Sequence, residues 1–449
     1  MKKFKLENII LTFLIFAIGY ILIFNILFYS PIYGYDAEAH YSYVDYLSRY
    51  LPYRLKLPSI ENSREFFSPP IAYIFPSVVQ VICRNLIDSS NYLLDCKPIY
   101  GKVTQIFQSI LYVTTIFINL KTLKLINNSK KLIDIGYLLL VSLLAVNYRT
   151  ISMIRGEPYI LFFLSIFLYT IFKLEIEDFK PKKNFFIFQG CIIAALALSR
   201  QWAFLLLLPV VPLVFYKKFR TITNIYFWIK SSLIGIVLSS WFYIKLYLNY
   251  GSLTAFNMQP SYSIFEKVNF NFFVPNFEQL NYLFYKPIRP YLNNQFFTIL
   301  YSDLWGDYWG YFVFTSNYLT LGRNQFLIGD YLANVQRISL ITTFIIILFL
   351  FRTRRLKKDS FIIKYLNFSM FFTLLGYLVF VLYFPTNSGD TIKSTYIVQL
   401  FNLAVFSASI YFYKLKHTNK TIYNVIIILL ISIFIFNFQS YLSHFPLSI

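Results

Sequence analysis

The sequence predicts an all-α, polytopic membrane protein, and three observations predict it. Of 449 residues, 57% are hydrophobic and only 14% charged, with a mean hydropathy of +0.56, which leaves too little polar surface to clothe a water-soluble chain. The apolar residues fall in runs of about 16–24, the length a helix needs to cross a hydrocarbon core of roughly 30 Å. The basic residues gather in short loops between those runs, the charge asymmetry of a multi-pass protein.

Crossings are read near 8–29, 103–120, 133–148, 158–174, 185–200, 202–216, 224–247, 338–351, 364–384, 395–413 and 421–439. With a shorter segment at 71–87, interrupted by Pro76, this gives about 11–13 transmembrane helices. The first run follows a basic start and precedes Ala37-Glu38-Ala39, but at about 20 residues it exceeds a signal-peptide core and reads as an uncleaved helix. Three regions result: a transmembrane module over 1–247 with a polar loop at 30–70, a long loop or lid over 248–336, and transmembrane helices over 337–449.

The formal net charge of +21 raises the possibility of a nucleic-acid partner, and the placement of the charge argues against one. Lys2, Lys3 and Lys5, then Lys121, Lys124, Lys130 and Lys131, then Lys180, Lys182 and Lys183, then Lys217, Lys218 and Arg220 sit in the loops of one side. Arg352, Arg354, Arg355, Lys357 and Lys358, and finally Lys414, Lys416 and Lys420, continue the pattern, so these loops face the cytoplasm and need no polyanion to explain them. The segments 30–70 and 248–336 are slightly acidic and belong outside. A full crossing at 71–87 would place the Lys121–Lys131 loop on the wrong side. Either 71–87 dips into the membrane and returns, or that loop breaks the rule.

Cys83, Cys96 and Cys191 carry no metal spacing, although Cys83 and Cys96 could pair if both lie outside. His40, His417 and His444 are too scattered for a zinc site, and no phosphate-binding loop, dinucleotide fingerprint or nucleophile elbow occurs. The informative stretch is Tyr35-Asp36-Ala37-Glu38-Ala39-His40-Tyr41, just past the first helix. A carboxylate there can take the proton of an attacking hydroxyl. Asp36 equally suits the N-cap of a helix starting at Ala37, with His40 one turn on. An amphipathic stretch, 44–52, reads as an interfacial helix, and Arg64-Glu65-Phe66-Phe67-Ser68-Pro69-Pro70 as a rigid return to the bilayer.

Acids beside the first helix, a loop of about 40 residues with interfacial helices, and the Pro-Pro return resemble the GT-C glycosyltransferases. The closest likeness is to the branch holding protein O-mannosyltransferases and lipid A aminoarabinose transferases. The resemblance implies transfer, with inversion, from a polyprenyl-phosphate-linked sugar donor to a hydroxyl of a lipid, glycan or protein acceptor. The site would lie on the extracytoplasmic face of a bacterial plasma membrane. Asp36 takes the place of the catalytic carboxylate, with Glu38 as a second acid that is not adjacent as the family has it. Some members use a divalent cation and others none. Where the aminoarabinose branch carries a lysine before Pro-Pro, this chain has Ser68, so another cation must meet the lipid phosphate.

Basic residues at the outer ends of spans are candidates, because charge at membrane depth is costly and usually functional. Lys393 and Arg200, with Arg64 of the first loop, are expected at the phosphate; the alternative for the first two is a snorkelling anchor. His40, Arg155, Glu157 and Tyr396 are expected to touch substrate. So are Asp303 and Asp307, which lie among the aromatics of Tyr301–Gly310, where rings suit sugar faces; that stretch could instead be a packed lid. A transporter or flippase of a lipid-linked sugar shares this topology. It predicts polar groups at mid-membrane on repeated, broken helices, and no repeat is evident.

Overall fold

The structure, a computed structural model, describes residues 6–129, 134–178, 184–216, 219–258, 270–292, 294–313, 325–356 and 360–443. Lys2, Lys3, Lys5, Lys130, Lys131, Lys180, Lys182, Lys183, Lys217, Lys218, Lys357, Lys358 and His444 lie outside the described residues. Every regular element among the described residues is helical. Among the described residues seven helices are long and apolar enough to cross a membrane, a bent pair makes an eighth if it is one span, and four shorter apolar helices accompany them. The chain is an all-α, multi-pass membrane protein.

Helix α1 (Leu6–Phe28) is a continuous apolar run. At its lower end Glu7 pairs with Lys416. At its upper end Lys102 donates to the carbonyls of Ile26 and Tyr29, so the otherwise open C-terminal carbonyls of the helix are met by a cation. After it come α2 (Ala37–Tyr50) and α3 (Ile71–Leu86). The helix α2 starts well before the amphipathic stretch marks it, because the turn at Gly34–Asp36 launches it; Pro52 follows its end.

Helix α3 packs along α2 and, at 16 residues, is one of the shorter apolar helices. Its first amide donates to Leu198 O at 3.3 Å, Ser77 and Gln80 reach Val44 O and Asp45 Oδ1 at 3.3 and 2.7 Å, and Arg84, near its end, still reaches Ser48 O at 3.4 Å. A disulfide, Cys83–Cys96, with Cα atoms 6.0 Å apart, ties α3 to α4 (Tyr92–Ile126, 35 residues).

Helices α5 (Ile135–Ser142) and α6 (Ala145–Ser152) are one broken span bent by 66°. No proline or glycine sits at the break. Leu144 is extended there, and Tyr148 OH donates to Ser142 O at 3.1 Å, supplying a partner that a broken helix in a membrane must find internally. Next come α7 (Glu157–Ile176), α8 (Phe185–Ala197), a 3-10 helix Gln201–Leu206 continued by α9 (Val210–Val214), and α10 (Ile222–Tyr250). The tighter path of 201–214 accommodates Pro209 and Pro212.

The long upper loop carries α11 (Phe270–Phe273), α12 (Phe277–Tyr285), started by an Asn276/Gln279 capping box, and α13 (Phe296–Trp305). The expected span 338–351 is the middle of α14 (Gln325–Leu356). Gln336, Ser339, Thr342 and Thr353 interrupt its apolar pattern, yet all are fully buried against protein, so hydropathy alone truncates the helix. The chain ends with α15 (Phe361–Tyr383), a 3-10 turn Ser394–Ile397, α16 (Val398–Thr418) and α17 (Lys420–Phe436). Exposed Phe16, Val237, Phe344 and Ile428 mark the lipid-facing shell.

Candidate active site

At the upper end of the bundle, five chain segments bring charged side chains together, the Glu65–Ser68 stretch before α3 and four others. The first is the turn after α1. Gly34 has φ +130, where an added Cβ would meet Tyr29 OH at 2.9 Å, and Asp36 is left-handed at φ 54, a conformation Asp tolerates better than most residues. Asp36 stands at the N-cap of α2, but its side chain makes no cap hydrogen bond. The carboxylate turns instead to Lys393, with Nζ donating to Oδ2 at 2.9 Å, and Tyr396 OH donates to the same oxygen at 3.5 Å. The N-cap alternative accounts for its position but not for its side chain.

Lys393 arrives from the segment before α16. Its amide donates to Tyr377 OH on α15 at 2.6 Å, and its ammonium lies 5.2 and 5.4 Å from the rings of Tyr35 and Tyr396, within cation–π range. Burial pushes its pKa down and Asp36 more than offsets that, so the ammonium is held above its ordinary value. For Asp36, burial acts to raise the pKa, and Lys393 overrides it and holds the carboxyl below the usual carboxylate range. Asp36 keeps 41% side-chain exposure where Lys393 has 10%, so one partner is reachable and the other is locked.

The third and fourth segments are the turns on either side of the α7–α8 pair. Arg155 Nε stands 3.6 Å from Glu157 Oε2, and Arg200 Nε donates to Glu157 Oε1 at 3.2 Å. Arg200 also reaches Glu65 Oε2 at 3.0 Å and the Ser68 hydroxyl. The turns touch because residue 156 is glycine: a Cβ there would overlap Ser199 O and the Arg200 side chain. Ser68, which replaces the expected lysine, thus receives a guanidinium from another helix pair.

His40 is buried with Nδ1 2.7 Å from Tyr73 OH and 3.9 Å from Glu65 Oε2. Burial pushes its pKa down to about 4, so the ring is neutral near pH 7. Burial pushes the Glu65 pKa up, and His40, Arg200 and a hydrogen bond from Ser68 bring it below its ordinary value.

Two concavities meet at this cluster. A polar cavity of about 630 Å³ opens upward and is lined by Asp36, Glu38, Ser42, Arg64, Glu65 and Tyr311, among others. An apolar groove of about 430 Å³ lies between the 3-10 helix at 201–206 and α15, with walls including Trp202, Phe256, Phe380 and Phe384 and with Tyr396 and Gln399 in its lining. Tyr396 joins the two, since it lines the groove and its hydroxyl reaches Asp36.

Of the residues expected at the site, Asp36, His40, Arg155, Glu157, Arg200, Lys393 and Tyr396 converge. Glu38 and Arg64 are exposed on the cavity rim. Asp303 and Asp307 lie apart from this cluster. Both are fully buried, away from the cavity lining, and clamp Arg149 at 3.1 and 3.6 Å. Asp303 Oδ2 also accepts from Ser394 N and Oγ at 2.8 and 2.6 Å, and Asp307 Oδ2 from the amides of Phe312 and Val313. Asp303, with Oδ1 also accepting from Tyr35 OH at 3.0 Å, has both oxygens engaged and holds the loop to the helices, while Asp307 Oδ1 accepts no hydrogen bond. Glu65 and Arg149 escape the sequence reading. Glu65 adjoins the chosen Arg64, and Arg149 falls one residue beyond the span read at 133–148. Among the described residues no group of three or more His, Cys, Asp or Glu side chains is gathered to hold a metal ion. Compared with known proteins, the chain matches no family model, no curated protein and no solved structure.

Proposed function

We propose that this chain is a membrane glycosyltransferase of the GT-C kind, moving a sugar from a polyprenyl-phosphate donor to an acceptor hydroxyl with inversion. One observation carries the reading: a reachable carboxylate, Asp36, stands where an open polar cavity meets an apolar groove, beside the buried cations Lys393, Arg155 and Arg200. An amphipathic donor needs such a junction, with its chain in the groove, its phosphate at the cations and its sugar toward the cavity. The acceptor oxygen attacks the anomeric carbon from the cavity side as its proton passes to Asp36. The bond from that carbon to the phosphate oxygen breaks, and the electron pair leaves on the phosphate, whose growing charge the cations stabilise.

The same reading takes the chain through the bilayer about eleven times, with α2, α3 and the 248–336 loop outside. The Cys83–Cys96 disulfide at the upper end supports an oxidising, extracytoplasmic side there. The second reading, a transporter of the lipid-linked sugar, is favoured by the broken span α5–α6. The assay that separates them uses proteoliposomes, radiolabelled polyprenyl-phosphate sugars and a native membrane extract as acceptor, comparing wild type with Asp36→Asn. Transfer by wild type, lost in the variant while donor binding persists, is the expected result. Movement of the donor across the bilayer without transfer, in both proteins alike, would replace the enzyme by the transporter.

A further inference from the structure

The cations of the site are already matched by carboxylates: Lys393 by Asp36, Arg155 by Glu157, and Arg200 by Glu157 and Glu65. Of the buried side-chain atoms that lack a hydrogen-bond partner, several lie around one ring. Arg155 Nη2, Trp202 Nε1 and Gln399 Nε2 have no hydrogen-bond partner, nor does Gln399 Oε1. They come from the turn before α7, the 3-10 helix at 201–206 and the first turn of α16, and they converge on Tyr396. The Arg155 guanidinium carbon lies 5.5 Å from the Tyr396 ring centroid, the Trp202 ring 5.2 Å from it, and Gln399 follows Tyr396 by one helical turn.

Gln399 is fully buried yet lines the groove, as does Trp202, whose ring carries the Arg200 guanidinium carbon at 5.1 Å. A carboxamide and an indole N–H are poor lining for an alkyl chain, and at membrane depth no bulk water satisfies them. They suit an oxyanion placed at the mouth of an apolar slot. Beyond it the walls are aromatic, and the slot runs out past Val379 and Tyr383, which are about half exposed on the outer surface of α15.

We propose that Trp202 and Gln399, with Arg155, form the seat of the donor's phosphodiester, at the head of a groove that takes the first isoprene units. This rests on the lipid-donor reading. Lys393 then stays beside Asp36, at the sugar side of the phosphate, and the seat distinguishes a singly charged, single-chain lipid by neutral hydrogen-bond donors as much as by net charge. Trp202 and Gln399 are positioning residues of the donor, with no part in proton transfer.

The test uses the full chain in nanodiscs of uncharged lipid with radiolabelled geranylgeranyl monophosphate as probe; geranylgeraniol, inorganic phosphate and phosphatidic acid serve as competitors. Wild type is expected to bind the probe, with each competitor at least roughly tenfold weaker. Trp202→Phe, which keeps the ring and removes the N–H, and Gln399→Met are each expected to weaken binding roughly tenfold, the order of one good hydrogen bond to a charged group. Because Gln399→Met removes an unpaired amide, its ligand-free melting temperature is expected to match or exceed wild type, which loss of a merely structural residue would not produce. Gln399→Glu, of the same shape with a negative charge, is expected to weaken binding further. Probe binding unchanged in all three variants overturns the seat and leaves the lipid-donor reading standing. Phosphatidic acid binding as tightly as the probe overturns the assignment in favour of a membrane-phospholipid site. No probe binding by wild type overturns both readings.

Discussion

Arg149 and Arg155 lie close in sequence, both fully buried and both beside carboxylates, and they have opposite characters. Arg149 donates to Gly306 O at 2.7 Å, Asp303 O at 2.6 Å and Ser394 Oγ at 3.0 Å, in addition to its two ion pairs. Arg155 has an ion pair at 3.6 Å and a hydroxyl contact with Thr395 at 3.3 Å, while its Nη2 meets nothing. Arg149 leaves only its Nε without a hydrogen-bond partner and rivets the 248–336 loop to the helices through contacts with Asp303, Gly306 and Ser394. Arg155 leaves Nε and Nη2 without one and stands over the ring of Tyr396, which lines the groove. The contrast shows that burial and charge do not by themselves separate the two; what each guanidinium touches does.

The largest expected effect is on the side of the cavity. Asp36→Asn should lower transfer by about 10²- to 10⁴-fold, the usual contribution of a general base, with the melting temperature held. A fall in melting temperature that explains the lost activity would make Asp36 another rivet. On the side of the rivet, Arg149→Met leaves Asp303 and Asp307 buried without their cation and should cost on the order of 3–5 kcal/mol of stability, read as a lowered melting midpoint. Arg155→Met should cost less stability than Arg149→Met while losing donor binding. If the two variants rank the other way, the comparison fails.

A smaller effect separates His40 from both arginines. Its folded pKa, about 4, lies below the ordinary value of 6.5, so the unfolded chain binds the extra proton first as pH drops. The stability it contributes is complete above about pH 6.5 and lost as pH falls toward 4, with a slope of up to about 1.4 kcal/mol per pH unit. His40→Gln should flatten the melting temperature between pH 7 and pH 5; an unchanged slope would assign the acid sensitivity elsewhere. The smallest effect belongs to Glu38, exposed on the rim. Glu38→Gln should change transfer by no more than about threefold, near the scale of surface substitutions, and a loss matching that of Asp36→Asn would restore Glu38 as a second catalytic acid.

The helical class and the sites of charge were legible because they are local: apolar runs and basic loops need no partner to be read. The break between α5 and α6 left no proline or glycine behind, and the full length of α14 was hidden by polar residues buried against protein. The same divide runs through the site. Asp36 and Lys393 could be chosen separately as a carboxylate after the first helix and a cation before a late one, but their pairing spans 357 positions and no local pattern encodes it. Asp303 and Asp307 looked like sugar contacts because their aromatic setting is visible in sequence and their partner Arg149 is not. Gln399 had no signal at all, since an amide in an apolar helix stands out only once its neighbours fail to meet it.

Helix α4, at 35 residues, is a rod about 52 Å long, and a hydrocarbon core of roughly 30 Å leaves about 20 Å of it standing clear. The Cys83–Cys96 bond fastens α3 to that free length, and α3 in turn carries Tyr73, the partner of His40, and Gln80, the partner of Asp45. Membranes of different thickness ask long helices for different tilts, and a change in the tilt of α4 would be carried through the disulfide to α3 and its partners on α2.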